Sequence, residues 1–278
     1  MKIFVTGATG FIGSYFLNML SQDSEVELVA LRRSLHSQTR ISLTKQPHWI
    51  TKQLDQVDKE DLKGVDVIVH LAAHSMNPPY DTLTNCLYWN LSAPLKLFNE
   101  ALKANVNKFI VAGSCFEYGM SGEEYEFIPV EAMLKPTLTY AASKAASSIA
   151  FYQFALQNQV KLSYNRIFQV FGEGETQSRL WPSLKIAAMS GKNFPMTKGN
   201  QIRDFIPVED VAKYFVKECL YKDLKDGQPI FSNVGSGNPQ SILEFSRYWW
   251  DKWHAQGKLL IGVIPYREGE VMRYVPKI

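Results

Sequence analysis

Tyr140 and Lys144 are the first residues whose types and spacing point to a reaction. They stand four apart in Tyr-Ala-Ala-Ser-Lys, so a helix through them sets a phenol and an ammonium on one face. A tyrosine with its ordinary pKa of about 10 exchanges protons poorly at neutral pH, and a nearby cation favours its anionic form. Taken alone, the spacing also fits a half-buried aromatic beside a solvated lysine. The pair therefore predicts proton transfer only if other catalytic side chains accompany it.

Ser114 is predicted to be such a side chain. It follows the apolar run 110–112 and Gly113, where a predicted strand ends in small residues and a hydroxyl. Ligands of a parallel sheet bind beyond the carboxyl ends of its strands, so Ser114 is expected to reach the same substrate oxygen as Tyr140. Serine, tyrosine and lysine together predict a site that reduces a carbonyl or oxidises an alcohol.

Three glycines recur at a spacing of three where the first predicted strand meets the first predicted helix. Glycine there permits positive φ and close approach to a pyrophosphate, whose charge the free N–H groups of the helix N-terminus would bind. A tight turn made only for packing is the alternative, and the strand-turn-helix context favours a dinucleotide. The residues expected to contact this cofactor are Gly7, Gly10, Phe11, Ile12 and Gly13, with Leu71, Ala72 and Ala73 lining it and Lys144 holding the nicotinamide ribose.

The end of the second predicted strand indicates which dinucleotide binds. About 20 residues beyond such a turn, a carboxylate binds the ribose 2′-OH of NAD, whereas arginine accommodates the 2′-phosphate of NADP. Here Arg32, Arg33 and Ser34 offer two guanidiniums and a hydroxyl, with no carboxylate. A solvated basic loop is the alternative interpretation. The sequence thus favours NADP(H) over NAD(H).

The order of predicted elements places these groups on one fold. Strands are predicted at 2–6, 25–31, 65–71, 109–112 and 162–168, and helices at 11–20, 90–104 and 140–157. Their alternation predicts a Rossmann-type α/β fold, a doubly wound parallel sheet covered on both faces. After residue 172, prolines and glycines interrupt the alternation. We therefore expect a dinucleotide-binding domain at 1–171 that also receives 206–234, and a smaller C-terminal substrate-binding lobe at 172–205 and 235–278.

The composition disfavours several other classes of protein. The 278 residues are 46% hydrophobic, and the net charge of +3 comes without a Lys/Arg run that would suit nucleic acid. No apolar run approaches the ~18 residues of a membrane span, and no signal-peptide pattern precedes the first strand. Three scattered cysteines fit a reducing compartment, so a cytoplasmic location without membrane contact is expected. His70 and His74 straddle a strand end, and no metal site is predicted.

Together these motifs resemble the extended short-chain dehydrogenase/reductase family, also called the NAD-dependent epimerase/dehydratase family. The resemblance rests on the glycine turn, the strand end at 66–73, Asn90, Ser114 with the following Tyr118-Gly119, and the Tyr140/Lys144 pair. Segments 165–172, 201–211, 233–237 and 267–270 are similar to its nucleotide-sugar branch, and this implies that Arg203 and Arg267 hold a substrate diphosphate. Alone, those arginines would fit surface ion pairs. The family also implies a homodimer built through a four-helix bundle. The residues expected to face the nucleotide-diphospho-sugar are Ser75, Ser114, Cys115, Gln169, Arg179, Arg203 and Arg267.

The two residues after Ser114 narrow the reaction. The 4,6-dehydratases of this branch carry an Asp-Glu pair there, whereas Cys115 and Phe116 lack the acid and base that dehydration needs. The chain is similar to CDP-abequose and CDP-paratose synthases, which are 4-ketoreductases, so NADPH-dependent reduction of a sugar 4-ketone is predicted. Three alternatives stay open: a 4-epimerase with tightly held NAD, reduction of a small non-nucleotide ketone, and a non-catalytic NADP-sensing regulator.

Overall fold

A computed structural model describes the whole chain, residues 1–278. The strands are β1 (Lys2–Thr6), β2 (Glu27–Arg32), β3 (His48–Thr51), β4 (Val67–His70), β5 (Lys108–Ser114), β6 (Lys161–Ile167), β7 (Gln169–Phe171), β8 (Phe194–Met196), β9 (Ile202–Pro207), β10 (Ile230–Val234), β11 (Pro239–Ser241), β12 (Leu259–Ile261) and β13 (Arg273–Tyr274). The α-helices are α1 (Phe11–Leu20), α2 (Leu83–Leu87), α3 (Ala93–Lys103), α4 (Thr139–Asn158), α5 (Leu180–Met189), α6 (Val208–Leu220) and α7 (Ile242–Lys252).

Seven strands form one parallel sheet in the order β10-β6-β5-β4-β1-β2-β3. Parallel neighbours cannot be joined by a tight turn, so the chain crosses over a face of the sheet between them. The predicted doubly wound α/β fold is confirmed. All seven carboxyl ends lie at one edge of this sheet, where ligands of such folds bind.

The sheet is buried on both faces. Successive residues of a strand point to opposite sides, so Phe4 packs with α3 and α4, whereas Ile3 and Val5 pack with α1 and α6. Burial on both sides explains why the central strands read as nearly continuous apolar runs rather than as alternating ones. No helix combines the length and the apolarity that crossing a bilayer requires.

The smaller lobe is built around β9. This strand pairs antiparallel with β11 and parallel with β13 and β7. Within the lobe, β8 pairs with β12, and α5 packs on α7 through Leu184 and Trp250. The chain leaves the central sheet after Ile167 and returns to it with α6 and β10. The division expected at residue 171 therefore groups β7 with the first domain, although β7 pairs with the smaller lobe.

The helix predicted at 90–104 begins earlier and is irregular. α2 begins at Leu83, where the Thr82 hydroxyl accepts a hydrogen bond from the Asn85 N–H, and a π-helical turn at Tyr88–Ser92 joins α2 to α3. A π turn carries one extra residue, so the apolar spacing before it is out of phase with that of α3. β3 was not predicted, because its four edge residues are only exposed or half-buried.

Candidate active site

The glycine turn between β1 and α1 fits the pyrophosphate of a dinucleotide. Gly7 has φ of +67°, and a Cβ there would lie 2.5 Å from the Ala72 nitrogen and the Leu71 carbonyl carbon. A Cβ on Gly13 would lie 2.2 Å from the Gly7 oxygen. No side chain caps the first turn of α1, which begins at Phe11 after the extended Gly10. The N–H groups at the start of α1 and the glycines of the turn, which have no Cβ atoms, therefore lie together at the carboxyl end of β1.

The two arginines predicted to choose the cofactor stand at the end of β2. The Arg32 guanidinium lies 5.3 Å from the centre of the Trp49 ring, and its Nε donates to the Thr51 hydroxyl at 3.0 Å. β3, which carries Trp49 and Thr51, therefore holds Arg32 in place. Arg33 is exposed, and the Ser34 hydroxyl accepts the N–H of His36. This rim of the sheet presents positive charge without a carboxylate between residues 32 and 37.

Ser114, Tyr140 and Lys144 come together between β5 and α4, and all three are buried. Ser114 is the last residue of β5, while Tyr140 and Lys144 lie on successive turns of α4. The Tyr140 phenol lies beside the Ser114 side chain, which favours its ionised form. The Lys144 ammonium donates to the carbonyl of Ala112 in β5 at 2.7 Å. One strand end therefore holds both the hydroxyl and the cation of the predicted trio.

Burial dominates the acid–base properties of this trio. It raises the pKa of Tyr140, and the neighbouring Ser114 side chain lowers that pKa only in part. Burial also lowers the pKa of Lys144 to about 8, which the charge of Glu117 partly opposes. The sequence predicted that a neighbouring cation would favour the tyrosinate. Instead the Lys144 ammonium bonds to Ala112, and Tyr140 keeps its proton at neutral pH, so it is poised to donate.

Asn90 ties three elements together behind the trio. It lies in the π-helical turn and is 2% exposed. Its Oδ1 accepts the N–H of His74 at 2.7 Å, and its Nδ2 donates to the His74 carbonyl and to the Ser143 hydroxyl. The Ser147 hydroxyl donates to the Asn90 carbonyl at 2.7 Å. The segment after β4 is thereby fixed against the face of α4 that carries the lysine.

Glu117 is a site residue to which the sequence analysis gave no role. Its carboxylate accepts a hydrogen bond from the Ser114 N–H at 2.8 Å, and the Ser114 hydroxyl accepts one from the Phe116 N–H. This reciprocal arrangement is a capping box around the 3₁₀ turn Cys115–Tyr118. The pattern Ser-x-x-Glu was visible in the sequence, and it indicates such a cap. Because this pattern begins at the predicted catalytic serine, it could have identified Glu117 as a residue of the site.

A cleft of about 780 Å³ opens next to the trio, between the sheet edge and the smaller lobe. Phe116, two residues after Ser114, and Leu138, two residues before Tyr140, both line it. Four of the residues predicted to face the substrate also line this cleft: Gln169, Arg179, Arg203 and Arg267. The structure thus places a cavity of ligand-binding size next to the buried trio, whose own side chains do not line it.

The arginines of the cleft differ in how free they are. Arg179 donates to Gln169 Oε1 at 3.2 Å and forms an ion pair with Glu175 at 3.4 Å. Arg203 is buried, and it donates to Glu270 Oε1 at 3.2 Å and to the Val271 carbonyl at 2.7 Å. Arg267 is exposed and forms no ion pair. An anion entering the cleft therefore meets one free guanidinium and two that already have carboxylate partners.

Three residues expected at the substrate do not line the cleft: Ser75, Ser114 and Cys115. The Ser75 hydroxyl accepts the N–H of Asp81 at 2.8 Å, so it shapes its own loop, whose Asn77 and Tyr80 reach the cleft instead. Cys115 is buried, and burial raises the pKa of its thiol to about 12. Their proposed contacts with substrate therefore have no support in the cleft lining.

The chain matches a model of the NAD dependent epimerase/dehydratase family over residues 3–231. It is 23% identical to CDP-abequose synthase of Salmonella muenchen over 98% of this chain and 87% of that protein. It is 25% identical to UDP-glucose 4-epimerase of Corynebacterium glutamicum over 88% of this chain and 78% of that one. Its fold matches MoeE5 in complex with UDP-glucuronic acid and NAD, with a TM-score of 0.84 and 23% identity, over 100% and 90% of the two chains.

Gly7→Ala is expected to weaken dinucleotide binding, because the methyl group would collide with the backbone after β4 at a residue with positive φ. We expect NADPH affinity, measured by fluorescence titration, to fall about tenfold or more. Gly64→Ala is the matched control: Gly64 has φ of +72°, and a Cβ there meets nothing within 4 Å. It should cost roughly 1 kcal/mol of stability and leave the affinity unchanged. Equal affinities of the two variants would contradict the assignment of the turn.

Glu175→Gln is expected to stabilise the protein at alkaline pH. The Glu175 side chain is 9% exposed, and burial raises its pKa from 4.5 to about 7. The folded state therefore binds the proton more tightly, so the cost of burying the charge is absent below pH 4.5 and complete above pH 7. Urea unfolding should show a gain of about 1–3 kcal/mol at pH 8 and little change at pH 5.

The matched control for this change is Glu173→Gln, because Glu173 lies two residues away and is exposed, with a surface ion pair to Lys185. Its effect should stay within about 0.5 kcal/mol at both pH values. A gain from Glu175→Gln that is the same at pH 5 and pH 8 would be inconsistent with a buried charge at this residue.

Proposed function

The chain belongs to the NAD dependent epimerase/dehydratase family, and we propose that it reduces the 4-keto group of a nucleotide-diphospho-6-deoxysugar with NADPH. The observation that carries this proposal is the buried pair of Tyr140 and Ser114 next to a cleft lined by three arginines. A proton donor for a carbonyl oxygen and cations for a diphosphate are the two features that such a substrate requires.

The proposed cofactor is NADP(H) rather than NAD(H). The glycine turn supports a dinucleotide of either kind, and the family name and the NAD in MoeE5 agree with that coarser statement. Support for the 2′-phosphate comes from Arg33, which is exposed at the end of β2, and from Arg32, which Trp49 and Thr51 hold nearby. When bound, this cofactor supplies the hydride that a ketone reduction needs.

The residues of the trio take distinct roles in this proposal. Tyr140 donates its proton to the oxygen that gains negative charge, and its raised pKa keeps that proton available at neutral pH. Ser114 donates a hydrogen bond to the same oxygen. Lys144, whose ammonium stands at the Ala112 carbonyl, holds the ribose of the nicotinamide and replaces the proton lost from Tyr140.

Reduction is favoured over dehydration by the residues after Ser114. Cys115 keeps its proton, since burial raises the pKa of its thiol to about 12, and it does not line the cleft. Phe116 does line the cleft but has no group that exchanges protons. Elimination of water needs both an acid and a base at these places. A single protonated phenol is sufficient for reducing a ketone.

A nucleotide-sugar 4-epimerase is the second candidate, favoured by the 25% identity to UDP-glucose 4-epimerase of Corynebacterium glutamicum. Such a reaction uses the same trio but returns the hydride to the sugar, so the cofactor would stay bound. A homodimer is also proposed for either activity. α2 and α4 with the turn after α2 carry exposed apolar side chains that could meet a second copy: Leu83, Tyr88, Ile149 and Tyr152.

We expect NADPH to be consumed with at least one 4-keto-6-deoxysugar linked to CDP, dTDP, GDP or UDP, and more slowly when NADH replaces it. The purified protein should carry no stoichiometric NAD, because a reductase exchanges its cofactor in every turnover. Absorbance and mass spectrometry of released nucleotide measure both points. Stoichiometric NAD would instead identify the epimerase, and NADPH binding without turnover of any of these sugars would identify a cofactor-sensing protein.

Arg267→Ala is expected to raise the KM for the sugar nucleotide about tenfold with kcat little changed, because it removes a free cation from the cleft. Arg267 gives a cleaner test than Arg203, whose loss would also leave Glu270 without its partner. Arg247→Ala, at an exposed arginine of α7 outside the cleft lining, is the matched control and should leave KM unchanged. Steady-state kinetics with an unaltered KM for Arg267→Ala would favour a non-nucleotide ketone as substrate.

A further inference from the structure

Glu117 is a fully buried carboxylate that the proposed reaction does not use directly. Its Oε1 accepts hydrogen bonds from the Ser114 N–H and from the Tyr164 hydroxyl, both at 2.8 Å. Its Oε2 accepts a hydrogen bond from Arg166 Nε, also at 2.8 Å. A buried charge is tolerated when it is paired and hydrogen-bonded in this way.

The partners of Glu117 connect it to both halves of the trio. The Ser114 N–H belongs to the residue whose side chain lies beside Tyr140. Tyr164 lies under α4: its hydroxyl is 3.2 Å from the Lys144 carbonyl, and its ring centre is 5.9 Å from the Lys144 ammonium. Gly113 leaves the space for this contact, since a Cβ there would lie 2.4 Å from the Tyr164 ring and 2.9 Å from Glu117 Oε1.

Arg166 fixes Glu117 from the side away from the trio. It is 5% exposed, and its Nη1 donates to the Val130 carbonyl at 2.9 Å and to the Tyr118 hydroxyl at 3.1 Å. Its guanidinium lies 4.9 Å from the Tyr118 ring centre and 5.4 Å from that of Phe231. The carboxylate therefore has no freedom to turn away from Ser114.

The titratable groups that face Lys144 come from four elements around it. Glu117, in the turn after β5, is the carboxylate among them, and its charge favours the protonated lysine. His70 of β4 stays neutral, because burial and the charge of Lys144 lower its pKa to about 3. Tyr164 of β6 and Tyr140 of α4 are held neutral by pKa values that burial raises. An anion in this position stabilises the ammonium and the protonated phenol together.

We propose that Glu117 is the positioning residue of this site: its buried charge fixes the main chain at Ser114 and keeps Lys144 protonated. It touches neither substrate nor cofactor and acts only through its neighbours. The inference rests on the proposed role of Lys144 at the nicotinamide ribose, and it assigns to the Glu117 carboxylate, which Arg166 holds in place, the task of keeping that lysine charged.

The test measures NADPH affinity by fluorescence between pH 6.5 and 9.5 and uses no sugar. In the wild-type protein the affinity should fall as Lys144 loses its proton near pH 8. In Glu117→Gln that fall should begin at a pH lower by about 0.5–1, because the neighbouring anion is gone. Glu117→Gln leaves Arg166 buried without its partner, so the double change Glu117→Gln with Arg166→Met provides a second variant for the same measurement.

Two controls separate positioning from a structural role. Tyr164→Phe removes a hydroxyl from the same network but no charge. Its NADPH affinity should therefore fall at the same pH as that of the wild type. Lys144→Met should abolish the fall. The proposal is overturned if both Glu117 variants lose affinity at the wild-type pH, or if Lys144→Met still shows the fall. A lack of sugar reduction would contradict the proposed reaction and leave this result standing.

Discussion

The parallel arrangement of the central strands is the constraint on which the site depends. Gly7 follows β1, Arg32 ends β2, Leu71 follows β4 and Ser114 ends β5. Because every strand runs the same way, these four points of the chain meet at a single edge. An antiparallel neighbour would carry its last residue to the opposite edge. The glycine turn, the arginine at the end of β2 and the serine at the end of β5 are thus neighbours because of the topology of the sheet, before any side chain interacts with another.

Local signals explain why much of this arrangement could be predicted from the sequence. The glycine spacing and the Tyr-x-x-x-Lys spacing each lie within a few residues, so their geometry is set by one turn or one helix. The pairs that were not predicted join distant parts of the chain. Glu117 bonds Arg166 and Arg203 bonds Glu270, 49 and 67 residues apart, and no local pattern reports such contacts. The predicted direction of the Tyr140 pKa shift was wrong for a related reason. Burial raises this pKa, and burial depends on the whole fold.

The cleft differs from a simple anion-binding site in its balance of charge. Its lining holds three arginines, at 179, 203 and 267, and three glutamates, at 175, 268 and 270. The diphosphate of the proposed substrate would therefore be attracted by the arrangement of these charges and not by a net positive field. Burial raises the pKa of Glu175 to about 7, so one of the three carboxylates is partly neutral at physiological pH. Apolar side chains such as Phe205 and Phe245, stacked 3.8 Å apart between ring centres, form part of the remaining lining.

The π-helical turn at Tyr88–Ser92 offsets the register of the helix it interrupts. One residue of an α-helix turns the chain by about 100°, so the extra residue rotates α2 by that amount relative to α3. Deleting a single residue here would restore regular α-helical spacing and change the directions of Leu83 and Asn90 together. The same insertion therefore sets two directions. Asn90 points inward toward α4, and the apolar side chains before it point outward.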